Sequence, residues 1–296
     1  MADLVTPAGL RALIAAPHPD VAPLPPAAGR AAGVRVLRGV PHGVVEGGRP
    51  LELDLWLPAP AAERPAPLVL FLHGGAWRRG RRDDMGVRTR SWEPGPFERI
   101  AATGLAVACV DYRLSGEAVF PAQLDDVRAA LRWLGVRARE LGIDPERVVV
   151  WGESAGGHLA SLLALTHPEP PLAGAVVWYG PSDLETPRPP FDPADPSSME
   201  ALLLGAAPAT VPERASAASP VRRAHAGAPP FLVVHGDADT MVPCGHGRDL
   251  ARALRAAGAD AELRIVPGAE HGWVGVGEAE VAEIFRASLG FVRATA

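Results

Sequence analysis

Short apolar segments alternate with helical patterns along most of this chain, and that alternation is the strongest constraint on its fold. PLVLFLH (67–73), LAVACVD (105–111) and RVVVWG (147–152) are continuously apolar, which is typical of strands covered on both faces. Between the last two, residues 121–141 carry apolar side chains at three- and four-residue spacing, as a one-sided helix does. We therefore predict an α/β fold with a mostly parallel central sheet and helices on both faces.

The same pattern predicts one α/β domain over residues 34–296. VRVLRGV (34–40) and LELDLWL (51–57) read as strands that come before any helix, so we expect mixed strands at one edge of the sheet. Residues 1–33 are rich in Pro and Ala and are interpreted as an irregular N-terminal arm, with a contribution to a cap left open. The alternation lapses over 181–229, which we interpret as a small cap or lid inserted over one end of the sheet.

Composition excludes several chemistries. All 29 basic side chains of the 296-residue chain are Arg, and there is neither Lys nor Asn. Without Lys the chain has no P-loop, no pyridoxal Schiff base and no Ser-x-x-Lys pair. Without Asn it has no Cys-His-Asn triad and no N-glycosylation acceptor. A mechanism built from Ser, His, Asp and backbone amides remains available.

Charge and cysteine content limit the binding partners, disulfides and metal sites that the chain can have. The net charge of −5 gives no electrostatic match to nucleic acid or to an anionic membrane. Cys109 and Cys244 are too few for a disulfide scaffold or a Cys-based zinc site, and we expect a buried free thiol at Cys109. The N-terminus carries Asp3 where a signal peptide needs positive charge, and no apolar run reaches membrane length. We therefore expect a cytoplasmic protein without a metal.

One short motif points to nucleophilic catalysis. Gly152-Glu153-Ser154-Ala155-Gly156 follows a predicted buried strand and precedes a predicted helix. G-x-S-x-G in that context is a nucleophile elbow, in which a tight turn between small residues lifts the Ser above the sheet at a helix N-terminus. Alone, the five-residue pattern is equally compatible with an ordinary Gly-rich turn. The strand–turn–helix context favours Ser154 as a nucleophile.

A second motif lies upstream. His73-Gly74-Gly75-Ala76-Trp77 follows the buried strand 67–73. An oxyanion hole needs backbone N–H groups that converge on one point, and consecutive glycines allow that bend. We predict Gly74, Gly75 and Ala155 as oxyanion donors. His73 precedes the nucleophile in the chain, so we interpret it as a residue that braces the loop.

The base and the acid are expected downstream of Ser154, with the acid first. His271 lies in a Gly-flanked loop just after the last predicted strand and is our candidate base. Asp237 and Asp239 both follow the preceding strand; we favour Asp239, and interpret Asp237 as a turn-stabilising residue. Glu270 is a weaker third option, because it is adjacent to His271.

Five motifs in this order resemble a known group: HGGAW (73–77), DYRL (111–114), GESAGGHLA (152–160), HGDADTMVP (235–243) and EHGW (270–273). Together they look like the bacterial esterase/lipase group of the α/β-hydrolases, related to hormone-sensitive lipase and to BD-FAE proteins. The resemblance covers about residues 34–295. It implies the α/β-hydrolase fold, the catalytic residues Ser154, Asp239 and His271, oxyanion donors at Gly74, Gly75 and Ala155, and no cofactor.

The resulting hypothesis is a serine carboxylesterase that hydrolyses small carboxylic esters through an acyl-enzyme. Two departures leave alternatives open. The loop reads HGGA where hormone-sensitive-lipase relatives usually carry HGGG, and the large N-terminal helical cap familiar in that group is short here, at about 33 loosely patterned residues. The HGG-x-W pattern also resembles kynurenine formamidases, which typically have His in place of Glu153. The rival predictions are therefore an arylformamidase or amidase with the same triad and a non-catalytic binding homologue.

Two further features each have two interpretations. Trp77 and Trp273 follow active-site motifs, so they either line the substrate pocket or pack in the core. The Arg78–Arg82 loop, which holds four arginines, either is a solvated loop balanced by Asp or recognises an anionic substrate group. The first interpretation is favoured for the arginines, and neither is favoured for the tryptophans.

Overall fold

A nine-stranded sheet organises the part of the chain that the computed structural model describes, residues 18–59, 64–166 and 168–296. Its order is β1-β2-β3-β5-β4-β6-β7-β8-β9; the pairs from β1 to β5 along this order are antiparallel and the remaining pairs are parallel. The strands are β1 (Ala28–Gly29), β2 (Arg35–Gly43), β3 (Leu51–Leu57), β4 (Ala66–Leu72), β5 (Ala106–Val110), β6 (Ile143–Glu153), β7 (Gly174–Trp178), β8 (Phe231–Gly236) and β9 (Ala261–Val266).

Helices connect the parallel strands, as parallel pairing requires. They are α1 (Pro96–Ala101), α2 (Ala122–Val136), α3 (Ala138–Leu141), α4 (Ala155–Ala164), α5 (Met199–Leu204), α6 (Pro212–Ala217), α7 (Gly245–Ala256) and α8 (Glu278–Thr295). Short 3₁₀ turns occupy Ala31–Gly33, Pro208–Thr210, Pro220–Arg222 and His271–Trp273. The predicted fold class, a mostly parallel sheet with mixed strands at one edge, is confirmed.

Side chains of the central strands enter two separate cores. In β4, Leu68, Leu70 and Leu72 join the cluster on one face of the sheet, whereas Val69 and Phe71 join the cluster on the other face. Successive strand residues point to opposite faces, so a strand buried on both sides must be apolar at every position. This is why the strand reads as a continuous apolar run.

The described part of the N-terminal arm is fastened to the domain. Arg137, between α2 and α3, is 6% exposed and donates to the carbonyls of Pro19 at 3.0 Å and Ala22 at 3.0 Å. Trp133 Nε1 donates to the same Pro19 carbonyl at 2.9 Å. Strand β1 then pairs with β2 at the edge of the sheet. Residues 1–17 of the predicted arm lie outside the described residues.

The segment 181–229 folds into two short helices, α5 and α6, joined by irregular backbone. Leu203 and Leu204 of α5 are fully buried and belong to the core on one face of the sheet. The Phe120 amide, just before α2, donates to the Leu203 carbonyl at 2.8 Å. The segment therefore packs directly on the body of the domain.

Both cysteines are free thiols, and Cys109 is buried in β5 as expected. Burial raises the pKa of the Cys109 thiol well above its ordinary value. Among the residues that the structure describes, no helix is both long enough and apolar enough to cross a bilayer.

Candidate active site

Ser154 lies in a strained turn between β6 and α4. Its φ of 53° and ψ of −120° are unusual for a residue with a side chain, and the neighbouring elements hold it there. A Cβ on Gly152 would lie 2.1 Å from the Gly156 carbonyl oxygen, and one on Gly156 would lie 2.0 Å from the Leu72 carbonyl oxygen. Only glycine fits at either position, so the spacing of the motif follows from the packing of α4 onto β4.

Three side chains from separate loops form one hydrogen-bonded chain. Ser154 Oγ is 3.0 Å from His271 Nε2, and His271 Nδ1 is 2.8 Å from Asp239 Oδ2. Because a carboxylate only accepts, Nδ1 carries a proton and Nε2 is left to accept from the Ser hydroxyl. The structure thus brings together the three residues that the sequence nominated, in the geometry of a base-activated nucleophile.

The Asp239 carboxylate is held ionised. Burial favours its neutral form, but the nearby His235 imidazole, the hydrogen bond from His271 and the backbone amide of Val242 lower the pKa of Asp239 well below its ordinary value. Its Oδ1 accepts from the amides of Met241 at 3.0 Å and Val242 at 2.7 Å. An ionised acid at this position orients the imidazole and stabilises the imidazolium that forms when the base takes a proton.

The two other acidic candidates have structural partners. Asp237 Oδ1 accepts from the amide of Gly268 at 2.7 Å and so fixes the turn after β9. Glu270 Oε1 accepts from the amides of Thr240 at 2.7 Å and His271 at 2.8 Å. Glu270 therefore ties the loop that carries the acid to the loop that carries the base, and contacts the backbone of His271 instead of its ring.

Aromatic packing and one arginine hold the His271 loop. The Tyr179 ring meets the His271 ring edge-on with centroids 4.7 Å apart, and meets the Trp273 ring at 4.6 Å. Arg88 donates to the carbonyls of Trp273 and Val276, each at 2.8 Å. The imidazole is thus backed by packed side chains and by a hydrogen-bonded loop.

Gly74 corrects one expectation about the oxyanion donors. Its amide, predicted to face a substrate oxygen, instead donates to Glu153 Oε1 at 2.8 Å. Burial raises the pKa of the Glu153 carboxyl above its ordinary value, while the Gly74 hydrogen bond opposes that shift. A Cβ on Gly74 would lie 2.4 Å from Glu153 Oε1, so the glycine is required for this contact.

The amides of Gly75, Ala76 and Ala155 have no acceptor within the described ranges of the chain. Gly75 has a φ of 111° and Ala76 a φ of 54°, so the loop turns sharply after Gly74. Both residues are partly exposed. The hydrogen bond from the Gly74 amide to Glu153 joins their loop to the turn that carries Ser154. Gly75 and Ala76 thus lie in a partly exposed loop, whereas Ala155 is buried at the start of α4. Ala76 was missed in the sequence because it is not a glycine.

His73 braces the oxyanion loop as expected. It is buried, its Nδ1 is 2.7 Å from the Gly74 carbonyl, and its ring stacks on Tyr112 with centroids 4.4 Å apart. The Tyr112 hydroxyl donates to the His73 carbonyl at 2.8 Å. Burial lowers the pKa of His73 below its ordinary value, which suits a structural imidazole.

The structure places both uncertain tryptophans in the core. Trp77 is 2% exposed, and its Nε1 donates to Nδ1 of the buried His158 at 3.2 Å. Trp273 is 1% exposed and packs against Trp178 and Tyr179. Of the two interpretations left open, core packing is the one that the burial of both rings fits.

Two of the four arginines in the Arg78–Arg82 loop, Arg81 and Arg82, are paired with acids. Arg82 forms ion pairs with Glu52, Asp54 and Asp111, and Arg81 pairs with Asp83. These contacts fit the prediction of a solvated, Asp-balanced loop. Among the residues that the structure covers, no group of three or more His, Cys, Asp or Glu side chains is arranged to hold a metal ion.

Sequence reasoning missed Glu153 and Arg88. Glu153 is the first variable residue of the G-x-S-x-G motif. An acidic side chain beside the nucleophile was the signal that this position accepts a hydrogen bond. Arg88 lies in a Gly- and Arg-rich loop without periodicity, so nothing in the sequence related it to residues about 185 positions later.

Comparisons with known proteins show which family this chain belongs to. Residues 53–254 match the BD-FAE family. The chain is 32% identical to esterase LipC of Mycobacterium tuberculosis over 78% of this chain and 59% of LipC. It is 32% identical to carboxylesterase NlhH of the same organism over 73% of this chain and 69% of NlhH. The match thus spans about three fifths of the length of LipC.

Among solved structures, the truncated form of a carbohydrate esterase from gut microbiota is similar to this chain. It superposes with a TM-score of 0.75 and 26% sequence identity, over 88% of this chain and 95% of that chain. The fold of this chain is therefore one that is found in esterases.

Proposed function

The chain belongs to the BD-FAE family of α/β-hydrolases, and we propose that it is a serine carboxylesterase acting on small carboxylic esters. The observation that carries the proposal is the hydrogen-bonded chain from Ser154 Oγ through His271 to Asp239. Free backbone amides beside Ser154 add the second requirement of acyl transfer, a place for negative charge on oxygen.

In the first half-reaction Ser154 Oγ attacks the ester carbonyl carbon while His271 Nε2 takes the hydroxyl proton. Asp239 remains ionised and stabilises the imidazolium. The amides of Gly75 and Ala155, with Ala76 beside them, donate to the oxyanion of the tetrahedral intermediate. The carbon–oxygen bond of the leaving group then breaks, and His271 returns its proton to the departing alcohol.

In the second half-reaction a water molecule gives its proton to His271 Nε2 and attacks the acyl carbon. The resulting tetrahedral intermediate uses the same amides. It collapses with release of Ser154 Oγ, which regains the proton from His271, and the carboxylic acid leaves. All groups in this cycle belong to the protein, to the ester or to water.

An ester is the substrate class that the relatives support. LipC is named an esterase, NlhH a carboxylesterase, and the structural neighbour a carbohydrate esterase. The three names share one bond type and differ in the alcohol or acyl group. The proposal for this chain therefore specifies the bond that is cleaved, a carboxylic ester, and the mechanism of its cleavage.

The test compares hydrolysis of p-nitrophenyl acetate by wild type and by Ser154→Ala. We expect kcat to fall by at least about 10³-fold in the variant, since the nucleophile is lost and only the oxyanion donors remain. Labelling with a fluorophosphonate should also disappear. Undiminished turnover by Ser154→Ala would contradict the proposal.

Two outcomes separate the rival functions. A panel of p-nitrophenyl esters from C2 to C12, run beside N-formylkynurenine, distinguishes an esterase from a formamidase by kcat/KM. We expect the short esters to be the better substrates. A wild-type protein that neither turns over esters nor labels with the fluorophosphonate would indicate a non-catalytic binding protein.

A further inference from the structure

A second histidine lies against the carboxylate of Asp239. His235, near the end of β8, is fully buried, and its Nε2 is 3.5 Å from Asp239 Oδ2. The same oxygen accepts from His271 Nδ1 at 2.8 Å. Asp239 Oδ2 thus lies between two imidazoles, one on the side of Ser154 and one on the side of the core.

His235 and Asp239 are also joined through the backbone. His235 Nε2 is 2.7 Å from the Val242 carbonyl oxygen, and the Val242 amide donates to Asp239 Oδ1 at 2.7 Å. Because a carbonyl only accepts, Nε2 is the protonated ring nitrogen. The His235 imidazole therefore holds the turn from Asp239 to Val242 through the Val242 carbonyl, and the Val242 amide holds the Asp239 carboxylate.

Helix α7 leaves space for this ring at one position. A Cβ on Gly247 would lie 2.8 Å from His235 Nδ1 and 3.1 Å from His235 Cβ, so an alanine there must displace the imidazole. Within the described residues, Nδ1 has no hydrogen-bond partner. The position of the His235 ring is therefore set by the hydrogen bond of Nε2 on one side and by the backbone of α7 at Gly247 on the other.

We propose that His235 is a positioning residue that holds the Asp239 carboxylate toward His271, and that Gly247 provides the room its ring requires. The inference rests on the proposed function, because it assigns His235 a part in orienting the acid of the serine–histidine–aspartate chain. His235 acts only through Asp239.

The first test uses two amide substitutions of His235. In His235→Gln the side-chain amide nitrogen reaches the place of Nε2 and still donates to the Val242 carbonyl, whereas the amide of His235→Asn reaches only the place of Nδ1. We expect kcat for p-nitrophenyl acetate, per site titrated with a fluorophosphonate, to fall at least about 10-fold in His235→Asn. We expect KM to change less than about twofold, and His235→Gln to stay within about threefold of wild type.

The second test changes the helix instead of the ring. Gly247→Ala should lower kcat about as much as His235→Asn, because the new methyl group displaces the imidazole. In a background that already carries His235→Ala the same substitution should cause no further loss, since the ring is absent. This non-additivity distinguishes a shared effect on the ring from two separate losses of stability.

His42→Asn is the matched control. His42 is buried, and its Nε2 is also bonded to one backbone carbonyl, that of Asp111 at 3.2 Å. Among the described residues it forms no hydrogen bond or ion pair with Ser154, Asp239 or His271; its charged neighbours are Asp111 and Asp126. We expect its kcat per titrated site to equal that of wild type within about twofold.

The inference is overturned if His235→Asn and Gly247→Ala both keep kcat within twofold of wild type while Ser154→Ala is inactive. Additive losses in the double variant would overturn it as well. If His235→Asn does not fold, Gly247→Ala and the double variant decide by the same criteria. Full turnover by Ser154→Ala would contradict the proposed function, and the inference with it.

Discussion

The carboxylate of Glu153 accepts the amide hydrogen of Gly74 at 2.8 Å, which joins the residue before the nucleophile to the loop that carries the free amides. The two residues are 79 positions apart: Gly74 lies in the loop after β4, and Glu153 is the last residue of the neighbouring parallel strand β6. The bond joins the residue directly before Gly75 and Ala76 to the residue directly before Ser154. It also explains why Gly74 itself cannot be one of the donors.

Removing this bond should weaken transition-state stabilisation more than substrate binding. We expect Glu153→Ala to lower kcat about 10-fold with a smaller effect on KM, because the oxyanion loop loses its link to the nucleophile turn. Glu153→Gln keeps an oxygen acceptor for the Gly74 amide and should stay within about threefold of wild type. Steady-state kinetics on p-nitrophenyl acetate measure both; equal losses in the two variants would show that the charge matters and the bond does not.

The raised pKa of Glu153 predicts a pH-dependent effect on stability. A carboxyl whose pKa is higher in the folded than in the unfolded state binds its proton more readily when folded, so the free energy of unfolding falls as pH rises between the two values. The unfolded value is about 4.3. Glu153→Gln does not titrate, so its Tm relative to wild type should be higher at pH 8 than at pH 4. A difference that is constant with pH contradicts this.

Substitutions of the two aspartates after β8 should have different effects on kcat. Asp239→Asn leaves an acceptor near His271 but favours the wrong imidazole tautomer, and we expect kcat to fall by about 10³- to 10⁴-fold. Asp237→Asn changes a turn that is bonded to the Gly268 amide and should keep kcat within about threefold. Both are measured per site titrated with a fluorophosphonate. Comparable losses in the two variants would remove the assignment of Asp239 as the acid.

Two helical glycines should respond oppositely to alanine. In Gly156→Ala the new methyl group would lie 2.0 Å from the Leu72 carbonyl oxygen, and we expect a loss of more than about 3 kcal/mol or an insoluble protein. Gly290 lies in α8 with nothing within 4 Å of such a methyl group. Gly290→Ala should gain about 0.5–1 kcal/mol through helix propensity. Urea denaturation measures both; a tolerated Gly156→Ala would contradict the described packing of the elbow.

Features encoded by local spacing were predictable from the sequence. The strands of the central sheet read as apolar runs because both faces are covered, and Ser154 was evident because small residues must flank a tight strand-to-helix turn. The order of acid and base along the chain then placed Asp239 and His271. The first two signals lie within a few residues of the feature that they encode, and the third is the order of residues along the chain.

Features that depend on which way a side chain faces were not predictable. The use of the Gly74 amide by Glu153, the inward rings of Trp77 and Trp273, and the contact of His235 with Asp239 each need the three-dimensional arrangement of distant loops. Helix α6 of the 181–229 segment lacks a periodic pattern, since short helices held by tertiary contacts need few apolar positions.

The pairing of β1 with β2 has a consequence for handling the protein. Strand β1 has only two residues, Ala28 and Gly29, yet it occupies hydrogen-bonding positions at the edge of β2 that would otherwise be open. An open edge strand invites pairing with the edge of another molecule. A truncated chain that begins at Val34, where the strand pattern starts, would also leave the Arg137 guanidinium without its three carbonyl acceptors. Such a fragment is expected to self-associate, even though every residue proposed for catalysis is retained.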